Sequence, residues 1–173
     1  LGMFEAEVKF YRELAQKVPV GLPYIHLAEI ESGTANFIIV MEDLNVLTMV
    51  NQSDGVTLDQ ALMAVEVLAI VHSVWWDQAD SEELAWIPNM IGPRIQFADG
   101  LLLQILEPFC NAFAEHLPPG GKEMFEAFAG NYVAINKTLA NRSPWTLAHQ
   151  DFRVENMLFG KDRFVVLDWQ GIG

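Results

Sequence analysis

One polar loop, held between apolar runs, constrains this chain more than any other feature. Residues 145–147, "WTL", lead into "AHQDFRVEN" (148–156), which leads into "MLF" (157–159). Twelve residues past Asn156 stands Asp168, at the end of the run "FVVLD" (164–168). Short apolar runs on either side of a polar turn, here "KDR", read as paired strands. A hairpin from Met157 to Asp168 returns Asp168 to the side of Asn156. The chain is thereby expected to gather His149, Asp151, Asn156 and Asp168 in a small space.

Two carboxylates and an amide oxygen suit a hard cation. Mg²⁺ takes oxygen ligands and borrows the remainder from phosphate and water. Asn156 and Asp168 supply such oxygens, and Asp151 is left to meet a substrate proton. This is the arrangement that phosphoryl transfer requires. A metal-dependent hydrolase using His149, Asp151 and Asp168 is a weaker alternative, because no second histidine pair lies near them. Taken alone, Asp151 reads by default as a loop residue that caps a turn. His149 reads as structural: an imidazole bonded to backbone that holds Asp151 in register. Arg153 has two readings, contact with phosphate or with a neighbouring carboxylate.

The rest of the chain reads as α+β. Residues 3 to about 18 carry Phe4, Val8, Tyr11, Ala15 and Val18 at helical spacing, ended by Pro19, Gly21 and Pro23. Residues 24–30 and 36–43 read as a hairpin around "ESGTA", with "FIIVM" marking the second strand as the more buried. Three helices follow. The first opens at Thr57, with Thr57 or Ser53 as cap and Leu58, Leu62, Val65, Ala69, His72 and Trp76 as its inward stripe. The second spans about 94–117 with Phe97, Leu101, Ile105, Phe109 and Phe113. The third spans about 121–141 with Phe125, Phe128, Tyr132, Ile135 and Leu139 inward. "WTLAH" (145–149) reads as a short strand before the polar loop.

Charge and cysteine usage exclude some classes. The 173 residues carry a formal net charge of −13, which argues against a nucleic-acid-binding surface. Cys110 is the only cysteine, so no internal disulfide and no thiolate cluster can form, and a cytoplasmic setting fits. No apolar run approaches the ~20 residues of a membrane span. The chain opens on a helix without an initiating methionine and stops just after a strand, as a fragment would. Nothing in it signals an oligomeric state.

The loop resembles the protein kinase catalytic loop, H-x-D-x-x-x-x-N followed by a metal-binding Asp after a hairpin. Gln150 stands where those enzymes carry arginine, and Trp169-Gln170 where they carry Phe-Gly. "H-x-D-F-R-x-x-N-x-L-F" with "LDW" is similar instead to the aminoglycoside phosphotransferase and choline kinase-like superfamily, and within it to the ecdysteroid kinase-like branch. "EVKFYREL" (7–14) resembles that branch's first helix, "VMEDL" (40–44) its hinge strand and "LAIVHSVWW" (68–76) one of its large-lobe helices.

The resemblance implies an incomplete protein kinase-like fold. Residues 1–45 would be a remnant of the small lobe (first helix, hairpin and hinge). Residues 46–173 would be most of a mainly helical large lobe, truncated at its end. It implies an ATP- and Mg-dependent phosphotransferase acting on a small-molecule hydroxyl. Asp151 would be the catalytic base, with Asn156 and Asp168 as metal ligands. Met41, Glu42, Asp43 and Leu44 would meet the adenine through backbone groups, and Leu158 would lie beneath its ring. Glu7 would hold a phosphate-contacting lysine. That lysine and the glycine-rich phosphate loop would both precede Glu7, and neither is present, so this chain alone is expected to be inactive. A non-catalytic, pseudokinase-like binding module is the alternative. Substrate-binding residues are not legible: residues 57–141 show core patterning and no acceptor code.

Overall fold

The computed structural model describes residues 2–19, 21–89, 91–142 and 144–173. They form two units, Leu1–Ile87 with Trp145–Gly173, and Pro88–Pro144. The architecture is α+β, with helices and small antiparallel sheets.

The first unit begins with α1 (Gly2–Lys9), which winds on without a break into a π-type turn at Phe10–Leu14 and a 3₁₀ turn at Ala15–Lys17. The widened turn alters the helical phase. As a result Phe10, Tyr11 and Leu14 are all buried, whereas the regular spacing placed only Tyr11 of these inward. Two antiparallel strands follow, β1 (Ile25–Ile30) and β2 (Phe37–Met41), joined by the expected turn. The second strand is not the more buried one. Ile38 is 50% exposed and Val40 40%. Among the described residues the hairpin has no third strand, and α1 packs on it, with Phe4 stacked on Phe37 at 4.7 Å.

The helix α2 (Leu58–Val74) starts from a capping box in which the Thr57 hydroxyl accepts from the Gln60 N–H. Its buried stripe is Ala64, Val67 and Val71, leading to Trp75, and not the one expected from spacing. Leu58, Leu62, Val65 and Trp76 are exposed. The helix carries apolar residues around most of its circumference, so periodicity does not select a phase. Close approach selects it: a Cβ on Gly21 would lie 2.9 Å from Val67 Cγ1.

Three strands complete the unit. A short strand, β3 (Thr48–Met49), pairs antiparallel with β4 (Met157–Phe159), which pairs with β5 (Phe164–Val166). β3 was not expected, and its two residues are too few to carry a period. "WTLAH" forms no strand in a sheet. Ala148 instead exchanges two backbone hydrogen bonds with Gly173, at 2.9 and 3.1 Å. The core joins Val8, Phe10 and Leu14 to Val67, Val71 and Trp75 and to Met157, Phe164, Val166, Trp169 and Ile172. Thus the two ends of the chain meet in one apolar cluster.

The second unit holds α3 (Pro93–Ala112) and α4 (Gly121–Ala140), which pack on each other. Phe109 meets Phe125 edge-on at 5.5 Å. α3 stops earlier than expected, and its apolar ridge is not core: Phe97 is 75% exposed, and Leu101, Ile105 and Phe113 are exposed too. On α4, Phe128 and Leu139 are exposed, Ala129 is buried, and Phe125, Tyr132 and Ile135 are half-buried. Two helices cover only one stripe of each other, and these carry more apolar residues than one stripe holds.

Candidate active site

Backbone bonds clamp the polar loop at both ends. Ala148 pairs with Gly173, and Leu167 N–H donates to the Asn156 carbonyl at 2.9 Å. The β4–β5 hairpin therefore brings Asp168 back beside Asn156. Gln150 and Asp168 both sit in left-handed backbone, at φ 69 and φ 63. Few non-glycine residues adopt it, and such strain gathers where a side chain must be aimed.

His149 is buried, and backbone groups engage both of its ring nitrogens. Nε2 lies 2.9 Å from the Leu167 carbonyl, and Nδ1 lies 3.2 Å from the Asp151 N–H. A carbonyl can only accept and an N–H only donate, so the ring is neutral with its proton on Nε2. Burial holds its pKa below the usual value, against the opposing pull of the Leu167 bond and the charges of Asp168 and Asp151. With both nitrogens engaged, His149 offers no lone pair to a metal. That removes it from the hydrolase reading, and it sets the position of Asp151 instead.

Asp151 is fixed by two neighbours. Asn156, itself buried, donates through Nδ2 to the Asp151 carbonyl at 2.9 Å and to Asp151 Oδ2 at 3.0 Å. Arg153 Nε donates to the same Oδ2 at 3.2 Å and bridges to Glu155 through its other arm. The guanidinium is held on these carboxylates, which raises its pKa, with the Asp151 hydrogen bond the largest cause. Oδ1 of Asp151 takes part in none of these bonds. Nor does the amide oxygen of Asn156.

The first helix meets this loop at the turn Trp169–Gly171, which packs on α1. Phe10 stacks on Trp169 at 4.0 Å, nearly parallel. Burial first, and then the Asp168 charge, push the pKa of Glu7 up, against a smaller lowering pull from the Trp169 backbone. One turn along, Tyr11 is buried, and among the described residues its hydroxyl has no hydrogen-bond partner. Burial, Glu7 and Asp168, in that order, raise the phenol's pKa above its ordinary value.

The segment Met41–Leu44 is tied elsewhere. The Glu42 carboxylate receives both arms of the Arg163 guanidinium, one at 2.8 Å, and the Tyr24 N–H at 2.6 Å. These bonds lower its pKa to about 2, with the Arg163 bond first. Glu42 N–H itself is spent on the Tyr24 carbonyl at 2.9 Å, so it cannot serve a ligand. Asp43 caps its own turn, accepting from Asn45 N–H at 2.9 Å. Leu158 is buried on β4, opposite Met49 of β3. The structure thus joins Glu7 to the Asp168 turn and Asp151 to Asn156, and it ties the Glu42 segment to the β4–β5 turn through Arg163.

The oxygen donors fit Mg²⁺ on its usual terms. Among the described residues no three His, Cys, Asp or Glu side chains gather to hold a metal. A site of one carboxylate and one amide oxygen, completed by phosphate and water, is the sparse protein share that Mg²⁺ takes. Asp168 and Asn156 Oδ1 meet that description, since Asn156 bonds Asp151 through Nδ2 and leaves its amide oxygen out of those bonds. Among the described residues no helix is long and apolar enough to cross a membrane.

Sequence reading reached the loop and Asp168, because their spacing carries the chemistry. It missed Arg163, which reads as an ordinary turn residue in "KDR", and the exposure of Tyr11 to two carboxylate charges. The one available signal for Tyr11 was its place four residues after Glu7. The sequence matches the profile of the phosphotransferase enzyme family over residues 3–173. No curated protein and no solved structure matches it.

Proposed function

The chain belongs to the phosphotransferase enzyme family, and from that premise we propose that it transfers the γ-phosphate of ATP to a hydroxyl of a small molecule. One observation supports this most: Asn156 and Arg153 both bond Asp151 Oδ2 and leave Oδ1 open, one hairpin away from Asp168. In this reading Oδ1 of Asp151 accepts the acceptor's hydroxyl proton. The acceptor oxygen then forms a bond to the γ-phosphorus, and the bond to the bridging oxygen of ADP breaks. Asp168 and the amide oxygen of Asn156 would hold Mg²⁺, which would supply charge stabilisation at the phosphates. His149 keeps Asp151 in place and moves no proton. Because phosphoryl transfer depends chiefly on positioning and electrostatics, a carboxylate in a fixed orientation suffices as base.

The finer assignments belong to the same proposal. Residues 1–45 stand for the end of a small lobe and 46–173 for a large lobe of a protein kinase-like fold. Backbone groups of Met41, Asp43 and Leu44 face the adenine, as does the Glu42 carbonyl, with Leu158 beneath the ring. Glu7 pairs with a phosphate-contacting lysine. The ecdysteroid kinase-like branch rests on the motifs "EVKFYREL", "VMEDL" and "LAIVHSVWW" alone, and the family match does not reach it. The acceptor is a small molecule, and the protein acts in the cytoplasm.

The test is ATP turnover against a panel of hydroxylated acceptors with Mg²⁺, using the chain together with any sequence that precedes it in its gene. Asp151→Ala and Asp168→Ala are each expected to lower transfer by about a hundredfold or more. Undiminished transfer by both variants sinks the assignment. Nucleotide binding with no transfer to any acceptor would point to a binding module instead.

A further inference from the structure

Arg163 and Glu42 stand 121 residues apart in the chain and meet through both arms of the guanidinium. Nη1 donates to Glu42 Oε2 at 2.8 Å, and Nη2 donates to Oε1. A planar fork on a carboxylate fixes orientation as well as distance, which a single ammonium contact does not. Tyr24 holds Glu42 as well: its N–H donates to Oε1 at 2.6 Å, and its carbonyl accepts the Glu42 N–H at 2.9 Å. The Glu42 carbonyl takes no part in these bonds. Five residues on, the same segment meets the same turn again. A backbone bond from Gly160 N–H to the Arg163 carbonyl closes that turn at 2.7 Å, and a Cβ on Gly160 would lie 2.7 Å from Leu47 Cδ2. Thr48 and Met49 then pair with Phe159 and Leu158. Residues 42–49 are thus seated on the β4–β5 hairpin at three successive points, and Arg163 makes the first of them.

We propose that Arg163 is a positioning residue for the nucleotide: its fork on Glu42 holds the backbone of residues 42–44 on the hairpin that carries Leu158, so that the two meet the adenine together. The Arg163 side chain itself touches no substrate. An ion pair this open adds little to stability. Its geometric effect is larger. Without the fork, Glu42 stays bonded to Tyr24 but loses its own tie to the hairpin. The Glu42 carbonyl and the Leu44 N–H are then free to shift against Leu158. This inference rests on the proposed adenine site at Met41–Leu44 and Leu158.

The experiment is calorimetric titration with adenosine, in the absence of metal, with a thermal melt of each protein. The protein is the chain together with any sequence that precedes it in its gene. Wild type, Arg163→Gln, Glu42→Gln, the double variant and Leu158→Ala are compared. Arg163→Gln is expected to weaken adenosine binding about three- to tenfold, the scale of one hydrogen bond. Glu42→Gln is expected to do the same, and the double variant no more than either, because both single changes break one contact. Leu158→Ala tests the adenine site independently of the fork and is expected to weaken binding too. If Arg163→Gln binds adenosine as wild type does while Leu158→Ala binds it less well, the proposal is overturned and the adenine site stands. A lower melting temperature with unchanged affinity is the same outcome, and leaves the fork purely structural. Full additivity in the double variant also overturns the proposal, since Arg163 would then act by a route other than Glu42. If wild type binds no adenosine, or Leu158→Ala binds it as wild type does, the reading of the adenine site fails and the proposal falls with it.

Discussion

Asn156 holds Asp151 twice, donating from one nitrogen to its main-chain carbonyl and to its carboxylate, at 2.9 and 3.0 Å. The amide is buried while the carboxylate is partly open. The two bonds therefore anchor an accessible group to the interior. Replacing Asn156 by Ala removes both and leaves the Asp151 carbonyl with the Arg153 N–H alone, at 2.9 Å. Unfolding in urea should show a loss of about 1–3 kcal/mol, the scale of two lost hydrogen bonds. A loss under about 0.3 kcal/mol would mean that the bonds do not form in solution.

The tautomer of His149 sets a pH dependence. Burial lowers its folded pKa below the unfolded value of 6.5, so in the window beneath 6.5 the unfolded chain binds the extra proton. Stability from this group is fully present above 6.5 and is lost as pH falls toward the folded pKa. Denaturant melts at successive pH values between 7.5 and 5.5 (roughly the span over which an ordinary histidine titrates) should show a falling midpoint. His149→Gln should flatten that slope while lowering the midpoint at the upper end. An equal slope in both proteins would assign the dependence to other groups.

Two glycines separate backbone strain from packing. Gly21 has φ +72, and a Cβ there would meet Val67 Cγ1 at 2.9 Å. Gly33 has φ +78 and open space around it. Gly33→Ala should cost about 1 kcal/mol, the left-handed penalty alone. Gly21→Ala should cost about 1–3 kcal/mol more, because an overpacked contact adds to it. Equal melting temperatures for the two variants would show that Val67 yields freely.

The Glu42–Arg163 pair is partly solvated, so its contribution should be modest despite its geometry. Glu42→Gln should lower stability at neutral pH by no more than about 1 kcal/mol, and added salt should shrink the difference. The folded pKa of Glu42 is about 2, against an ordinary 4.5. The pair's contribution is therefore complete above 4.5 and disappears as pH falls toward 2. A variant that stays equally destabilised at the acid end of a pH series would point to lost packing of the carboxyl rather than lost charge.

The sequence by itself marked the polar loop as the candidate site, because there the residue types and the spacing coincide. His149, Asp151 and Asn156 lie on one short stretch, and a hairpin of fixed length must return Asp168 to it. It also determined the first hairpin, a cap at Thr57 or Ser53 and the number of long helices, each marked by local turn or capping residues, and the structure chose Thr57. Only the tertiary structure decided which faces are buried. α2 is apolar on most sides, and the choice of Ala64, Val67 and Val71 over Leu58, Leu62 and Val65 depends on the backbone of Gly21 approaching from far along the chain. The packing of the first helix on the Trp169–Gly171 turn was likewise beyond local pattern. It requires residues from opposite ends of the chain to share one core, and burial of a carboxylate and a phenol there reflects long-range packing that no period of 2 or 3.6 encodes.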